Sequence, residues 1–376
     1  MSEVVIFQEL ACDNGKLIGV ATLNSERSLN ALSKEMIDEL SPKLAEWKDN
    51  DEIAIVILQG AGEKAFCAGG DIVNLYKAMD QHPNEYADYV QTYFTEEYKL
   101  DYLIHTFEKP FLVWGNGIVM GGGLGMMVGG SHRVVTESSR IAMPEISIGL
   151  YPDVGGTWFL NRMPENIGLF LGLTGASINA ADAKFTGLAD YFVSADNKEG
   201  VLGKLLTVNW GDTKALNHDK LSDVLHDAER SCATKQPQSN IRTHETLISS
   251  VMNFDNLADI VDAIVSAETS EDDKWFVRAQ KSLKHGSAMS GQIVYRQMNE
   301  GKSLSLAECF RMELSLSVKA GKFGEFREGV RALLIDKDNQ PKWAYHSIAE
   351  VPEEKINWFF EPLWSKEEHP LKSLGE

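Results

Sequence analysis

Glu145 and Asp153 lie in "EISIGLYPDVGGT" (145–157), two carboxylates eight residues apart in an apolar, glycine-rich stretch. Two readings are open. They cap the helix that follows, or they stand over a reacting group as acid, base or nucleophile. Two other stretches offer main-chain chemistry: "AFCAGGD" (65–71) and "GNGIVMGGGLG" (115–125). Each follows an apolar run, and glycine leaves the backbone N–H groups bare to a ligand. Two such groups aimed at one carbonyl oxygen would form an oxyanion hole, which stabilises the charge that develops in acyl transfer. The plainer alternative is that these glycines only permit tight turns and close helix packing. Cys67 sits in the first loop, but no histidine stands where a Cys-His pair would need it, so it reads as a small hydrophobe. A dinucleotide reading of "GGGLGMMVGG" fails on spacing: after Gly123 and Gly125 the next glycine is Gly129, one residue late for GxGxxG.

The elements that must hold these loops are legible from periodicity. Residues 4–11 and 16–23 read as strands around "DNG", a hairpin turn. In "SKEMIDELSPKLAEW", Met36, Ile37, Leu40, Leu44 and Trp47 share one helical face and Ser33 is the N-cap, while Pro42 is expected to kink or restart the helix. "IAIVILQG" and "FLVWGNG" read as buried strands, with "AGEKAFCAGGD" as loop between them and a long helix over 84–107. "MGGGLGMMVGG" opens a glycine-rich helix, "HRVVTE" and "ADYFV" are further strands, and 145–157 is a strand end running into a loop. Helices are expected over 164–173 and 180–186. The polar stretch 231–243 reads as a boundary, the chain beyond it is mostly helical, and the aromatic tail is expected to wrap the surface. Strand, loop and helix units alternate, an α/β pattern. The domain expectation is a catalytic core over 1–210 and a helical region over 211–376.

The 376 residues suffice for a large core, with 43% hydrophobic and 24% charged residues. A net charge of −19 argues against a nucleic-acid or anionic-membrane partner. It leaves room for a phosphorylated small ligand. Four scattered cysteines without CxxC point to a reducing compartment. The nine histidines show no metal-ligand spacing, so no metal is expected. The start resembles neither signal nor transit peptide, and no apolar run is long enough to span a bilayer. The expectation is a cytoplasmic protein.

"ERSLNAL" (26–32), "KAFCAGGDI" (64–72), "NGIVMGGGLG" (116–125), "MPEISIGLYPDVGG" (143–156) and "AKFTGLADYFV" (183–193) occur in this order. Together they resemble the enoyl-CoA hydratase/isomerase (crotonase) superfamily over about the first 200 residues. The resemblance implies an α/β core of repeated ββα units, a coenzyme A thioester ligand, and an oxyanion hole from the Gly70 and Gly122 amides. Ala68 and Asp71, beside Gly70, fall in the implied substrate-binding loop, and Arg27 stands where a basic residue often meets the CoA phosphates. Hydratases of the superfamily carry a glutamate two residues after the glycine triplet and another twenty residues later. Here the first position is Gly125 and the second is Glu145, so hydration is in doubt, and Asp153 appears where hydratases have a small residue. The Glu145–Asp153 pairing, "FREGVRALLIDKDNQPKW" (326–343) and the longer helical C-terminal region resemble the 3-hydroxyisobutyryl-CoA hydrolases. "FTEEY" (94–98) matches them too, with Glu97 at a substrate-binding position. The implied reaction is hydrolysis of a short branched 3-hydroxyacyl-CoA, with coenzyme A as part of the substrate and no separate cofactor. Alternatives are a hydratase or isomerase, and a non-catalytic acyl-CoA-binding protein. A homo-oligomer is left open.

Overall fold

The computed structural model describes residues 3–270 and 272–376. Its strands are β1 (Val5–Ala11), β2 (Leu17–Leu23), β3 (Ile53–Gly60), β4 (Ala65–Cys67), β5 (Phe111–Gly115), β6 (Ile118–Met120), β7 (His132–Val135), β8 (Arg140–Ala142) and β9 (Tyr191–Phe192). They form a six-stranded sheet in the order β1-β2-β3-β5-β7-β9 and a three-stranded sheet in the order β4-β6-β8. The β1–β2 hairpin is antiparallel, pairing Val5 with Leu23 through Ala11 with Leu17. Every later neighbour in the large sheet is parallel. Parallel neighbours need long crossovers, which put helices over the sheet faces. Hence β3 is buried at every residue except half-buried Gln59.

The chain gathers into two compact units, each discontinuous in sequence. The first holds the chain up to Gly70, then Leu100–Ile141 and Ile178–Asn240. The second holds Asp71–Lys99, Ala142–Ser177 and Ile241–Glu376. These units do not follow a division at residue 210. Leu221, Val224 and Leu225 of the Lys214–Cys232 helix join Ile55, Ile57, Leu112 and Val134 of the sheet in one core. Residues before 210, over 71–99 and 142–177, gather with the helical tail instead. Within the second unit, Tyr98 of the Asp88–His105 helix meets Phe310 of the Leu306–Phe323 helix, and Phe94, packed between Tyr93 and Tyr98, meets Phe326.

The Lys34–Asp49 helix has the expected buried face of Met36, Ile37, Leu40, Leu44 and Trp47, and Ser33 Oγ accepts the Met36 N–H at 3.1 Å. It runs unbroken through Pro42, where a kink or restart was expected. Pro42 and Asp38, the residue whose carbonyl loses its partner, are both exposed, so water can satisfy that carbonyl. Several short elements escaped the sequence pattern, β6, β8 and the Ile72–Gln81 helix among them. β4 lies where a loop was expected, and Glu145–Ile148 is a turn of 3₁₀ helix. The stretch 231–243 holds the end of one helix, a 3₁₀ turn, an irregular segment and the start of the next helix, and the first unit does end within it, at Asn240.

Candidate active site

In the first unit the two glycine loops are neighbours. β4 pairs with β6 in parallel, Cys67 opposite Val119, and each strand opens directly into its loop. After β4, Ala68 N–H donates to Leu29 O at 3.1 Å and Leu32 N–H donates to Gly69 O at 2.8 Å. Leu32 and Gly70 form an isolated parallel bridge. In that pattern the N–H of Gly70 points away from residue 32. After β6, the glycine triplet divides its labour. Gly121 is the N-cap of the Gly122–Gly129 helix at φ 47° and ψ −125°, a backbone shape that side chains disfavour. A Cβ on Gly123 would stand 2.3 Å from Cys67 O, so only glycine lets the helix seat on β4. Gly122 is left between them with its N–H in the first helical turn, where the helix offers it no acceptor and the dipole is positive. The unit thus presents main-chain donors of the kind an oxyanion needs.

The other residues expected in this unit are placed less suggestively. Cys67 is buried and its thiol donates to Gly69 O at 3.5 Å, so the hydrophobe reading holds. Half-buried Ala68 contributes backbone. Arg27 is exposed on the turn Glu26–Ser28 and, with Lys64, lines a cavity of about 240 Å³.

The carboxyl groups belong to the second unit. Glu145 opens the 3₁₀ turn after Pro144, and Leu150 N–H returns to its carbonyl at 3.0 Å. Its side chain is buried, and among the described residues its Oε2 has no hydrogen-bond partner. A buried carboxyl oxygen left so calls for an explanation, of which a catalytic role is one. Asp153 is buried as well, but not as a helix cap: Gly155 is the N-cap of the short Gly156–Leu160 helix, and Glu313 takes the Thr157 N–H of its first turn. Instead Tyr98 donates its hydroxyl to Asp153 Oδ2 at 2.6 Å. Tyr98 also lies 2.7 Å from Ser317 Oγ, which lies 2.7 Å from the Tyr151 hydroxyl, and Tyr151 donates to Glu313 O at 2.6 Å. Glu97 is buried one residue before Tyr98 and hydrogen-bonds with Tyr93, which accepts the Asp71 N–H at 3.3 Å. The Asp71 carboxylate itself caps the Ile72–Gln81 helix by accepting the Asn74 N–H at 3.2 Å.

The loop carrying Asp153 is strained and clamped. Val154, next in sequence, has φ 50°, a left-handed conformation that a β-branched residue rarely adopts. Glu313 holds it from one side, accepting the N–H groups of Gly155 and Thr157 at 2.8 Å each. Gln297 holds it from another, donating to Pro152 O at 2.6 Å and Thr157 Oγ1 at 2.7 Å. The sequence reading missed Glu313, Gln297, Ser317, Tyr98 and Tyr151. One signal was available. Glu313 and Ser317 share the buried face of their helix with Phe310 and Ala320, and a polar residue there needs a buried partner.

Burial dominates the electrostatics. It pushes the Glu145 carboxyl well above the ordinary range, reinforced by the charges of Asp153 and Glu97. Glu97 is raised in the same way by burial and by Asp153, against the opposing Tyr93 hydrogen bond. Asp153 is raised by burial only to about 6, because the Tyr98 hydroxyl favours its anion. Glu313 is raised by burial to about 8 despite its donors. Glu97, Glu145 and Asp153 therefore share too little solvation for all to ionise together, and they titrate as a coupled set. Among the described residues no group of three or more His, Cys, Asp or Glu is arranged to hold a metal ion.

Main-chain donors on glycine loops and a buried carboxyl set, on an α/β core with a parallel sheet, define the class of the crotonase fold. The profile of the family described as enoyl-CoA hydratase/isomerase matches residues 18–360, and the chain belongs to that family. It is 39% identical over 351 residues to the mitochondrial 3-hydroxyisobutyryl-CoA hydrolase of Bos taurus, covering 93% of this chain and 87% of that protein. To the protein of the same name from Homo sapiens it is 35% identical over 368 residues, covering 97% and 90%. Among solved structures, a carnitinyl-CoA dehydratase from Mycobacterium thermoresistibile superposes with a TM-score of 0.84 at 30% identity over 100% of both chains. An enoyl-CoA hydratase from Rhodobacter sphaeroides superposes with a TM-score of 0.81 at 29% identity, covering 96% and 98%.

Proposed function

We propose that this chain hydrolyses 3-hydroxyisobutyryl-CoA to 3-hydroxyisobutyrate and coenzyme A. The observation that carries the reading is its likeness, at 35–39% identity over nearly its whole length, to proteins of that name. The chemistry of a thioester needs both kinds of group described above. Amides of Gly70 and Gly122 would polarise the carbonyl and stabilise the oxyanion. Ionised Glu145 would attack the carbonyl to form a transient anhydride, or activate a water. Asp153 would bind the substrate 3-hydroxyl or protonate departing coenzyme A, and Glu97 would line the substrate. Arg27 and Lys64 suit a phosphate of the CoA nucleotide. Ala68 contributes backbone beside Gly70, and Asp71 orders the following helix and, through Tyr93, Glu97.

Two solved structures of this fold carry hydratase or dehydratase titles, which keeps hydration as the rival. Gly125 speaks against it, because it stands at the position of one of the two glutamates that hydratases of the superfamily use. A thiol-release panel of short acyl- and 3-hydroxyacyl-CoA esters, run beside crotonyl-CoA hydration, decides. Thiol release fastest from 3-hydroxyisobutyryl-CoA supports the reading, and hydration without thiol release refutes it. Binding without either reaction would leave an acyl-CoA-binding protein. A role in valine breakdown follows from that substrate.

We further propose that no separate cofactor takes part, so a chelator leaves the rate unchanged. A homo-oligomer is tested by sedimentation. No described helix is long and apolar enough to cross a membrane. A cytoplasmic location stays a proposal. The relatives are named mitochondrial, and fractionation separates the two.

A further inference from the structure

We infer that Ser317, on the Leu306–Phe323 helix of the C-terminal region, is a positioning residue that draws the carboxyls' shared proton onto Asp153 and so frees Glu145 to react. The inference rests on the hydrolase reading for its consequence, but its geometry stands apart from it. Asp153, Tyr98, Ser317, Tyr151 and Glu313 O form one buried chain of four contacts, between 2.6 and 2.7 Å long.

The protons can be counted. With Asp153 ionised, the chain holds three, one on each hydroxyl. Tyr98 spends its proton on Asp153, and Tyr151 spends its proton on the carbonyl of Glu313, which can only accept. The Ser317 proton then serves one tyrosine oxygen and leaves the other facing it lone pair to lone pair. With Asp153 protonated, four protons meet four contacts in one direction. Asp153 donates to Tyr98, Tyr98 to Ser317, Ser317 to Tyr151, and Tyr151 to Glu313 O. The chain is complete only in that state, and an incomplete buried network is costly.

The other titratable groups acting here are Glu97 beside Tyr98, Glu145 on its 3₁₀ turn and the Glu313 carboxyl, all acidic. Each disfavours a further negative charge. Without Ser317 the balance reverses. Tyr98 then donates to Oδ2 whether Asp153 is ionised or carries its proton on Oδ1, and the anion is the stronger acceptor.

The test follows the carboxylic acid infrared band of Asp153 against pH, assigned by its loss in Asp153→Asn. In Ser317→Ala the Asp153 midpoint falls by about one pH unit, a tenfold change in its ionisation constant. In Ser317→Thr, which keeps a hydroxyl, it stays at the wild-type value. The acid limb of the kcat–pH profile moves to higher pH in Ser317→Ala, because an ionised Asp153 holds the proton on Glu145. Since the infrared titration needs no substrate, it decides this point even if the protein releases no thiol from 3-hydroxyisobutyryl-CoA, which would sink only the hydrolase reading. An Asp153 midpoint unchanged or raised in folded Ser317→Ala, or in Ser317→Cys should the alanine variant not fold, overturns the inference. So does a kcat that drops equally at every pH with its limb unmoved.

Discussion

The two units offer opposite kinds of candidate group. In the first, the groups are main-chain amides at Gly70 and Gly122, held by strand pairing and by a helix seated on β4. Such donors do not titrate, and their aim depends on backbone packing within residues 29–129. In the second, the groups are carboxyls whose charge depends on burial and on partners far along the chain, since Asp153 accepts from Tyr98 and its loop is held by Glu313. The comparison teaches that donor strength can be built from backbone alone, while proton affinity must be built from burial and side-chain partners. The consequences can be ranked.

The largest effect is expected at Glu145. Glu145→Gln keeps the side-chain shape and removes both base and nucleophile. Thiol release should fall by about 10²- to 10⁴-fold, the usual worth of such a group, while CoA-ester affinity persists in calorimetry. Near-normal turnover in the folded variant would move the chemistry to another residue. Next comes the main-chain half. Gly123→Ala puts a Cβ 2.3 Å from Cys67 O and must push the helix off β4. Losing one oxyanion donor costs about 10²- to 10³-fold in kcat. A variant with unchanged kcat would show that the first unit's packing does not govern the reaction.

Asp153 sharpens the comparison through selectivity. A hydrogen bond between the substrate hydroxyl and a neutral Asp153 carboxyl is worth about 0.5–1.5 kcal/mol, or roughly two- to tenfold in kcat/KM. The wild type should prefer 3-hydroxyisobutyryl-CoA over isobutyryl-CoA by that factor. Asp153→Asn should keep part of the preference and Asp153→Ala almost none. If the ratio survives in the alanine variant while both rates drop, Asp153 serves leaving-group protonation instead.

The smallest effect concerns stability. Glu313 has its carboxyl raised from 4.5 to about 8 in the fold. A raised acid binds its proton more tightly folded than unfolded, so its contribution is complete below pH 4.5 and is lost as pH climbs through about 8. Glu313→Gln should therefore flatten the decline of Tm between those values. Equal slopes in the two proteins would mean that Glu313 is ionised throughout.

Much of this was legible in the sequence. The period-two strands, the Ser33-capped helix and the glycine loops were set by local rules: alternation, capping and the freedom of bare backbone. Family motifs then picked out Glu145, Asp153, Glu97, Gly70 and Gly122. Asp71 shows the limit of that reading, since its carboxylate is engaged in capping a helix. β4 was missed because three residues are too few to display a period. Pro42 was misjudged because its cost depends on which face meets water.

What the sequence determined by itself was a list of candidate groups and the short elements that carry them, because spacing and turn chemistry act over a few residues. What only the tertiary structure decided was their state: which carboxyl is buried, that Tyr98 holds Asp153, and that Glu313 and Gln297 clamp a strained Val154. Those partners lie from 55 to 158 residues away in sequence. A buried carboxyl's proton affinity is the sum of desolvation and of such contacts, and neither exists until the chain has folded.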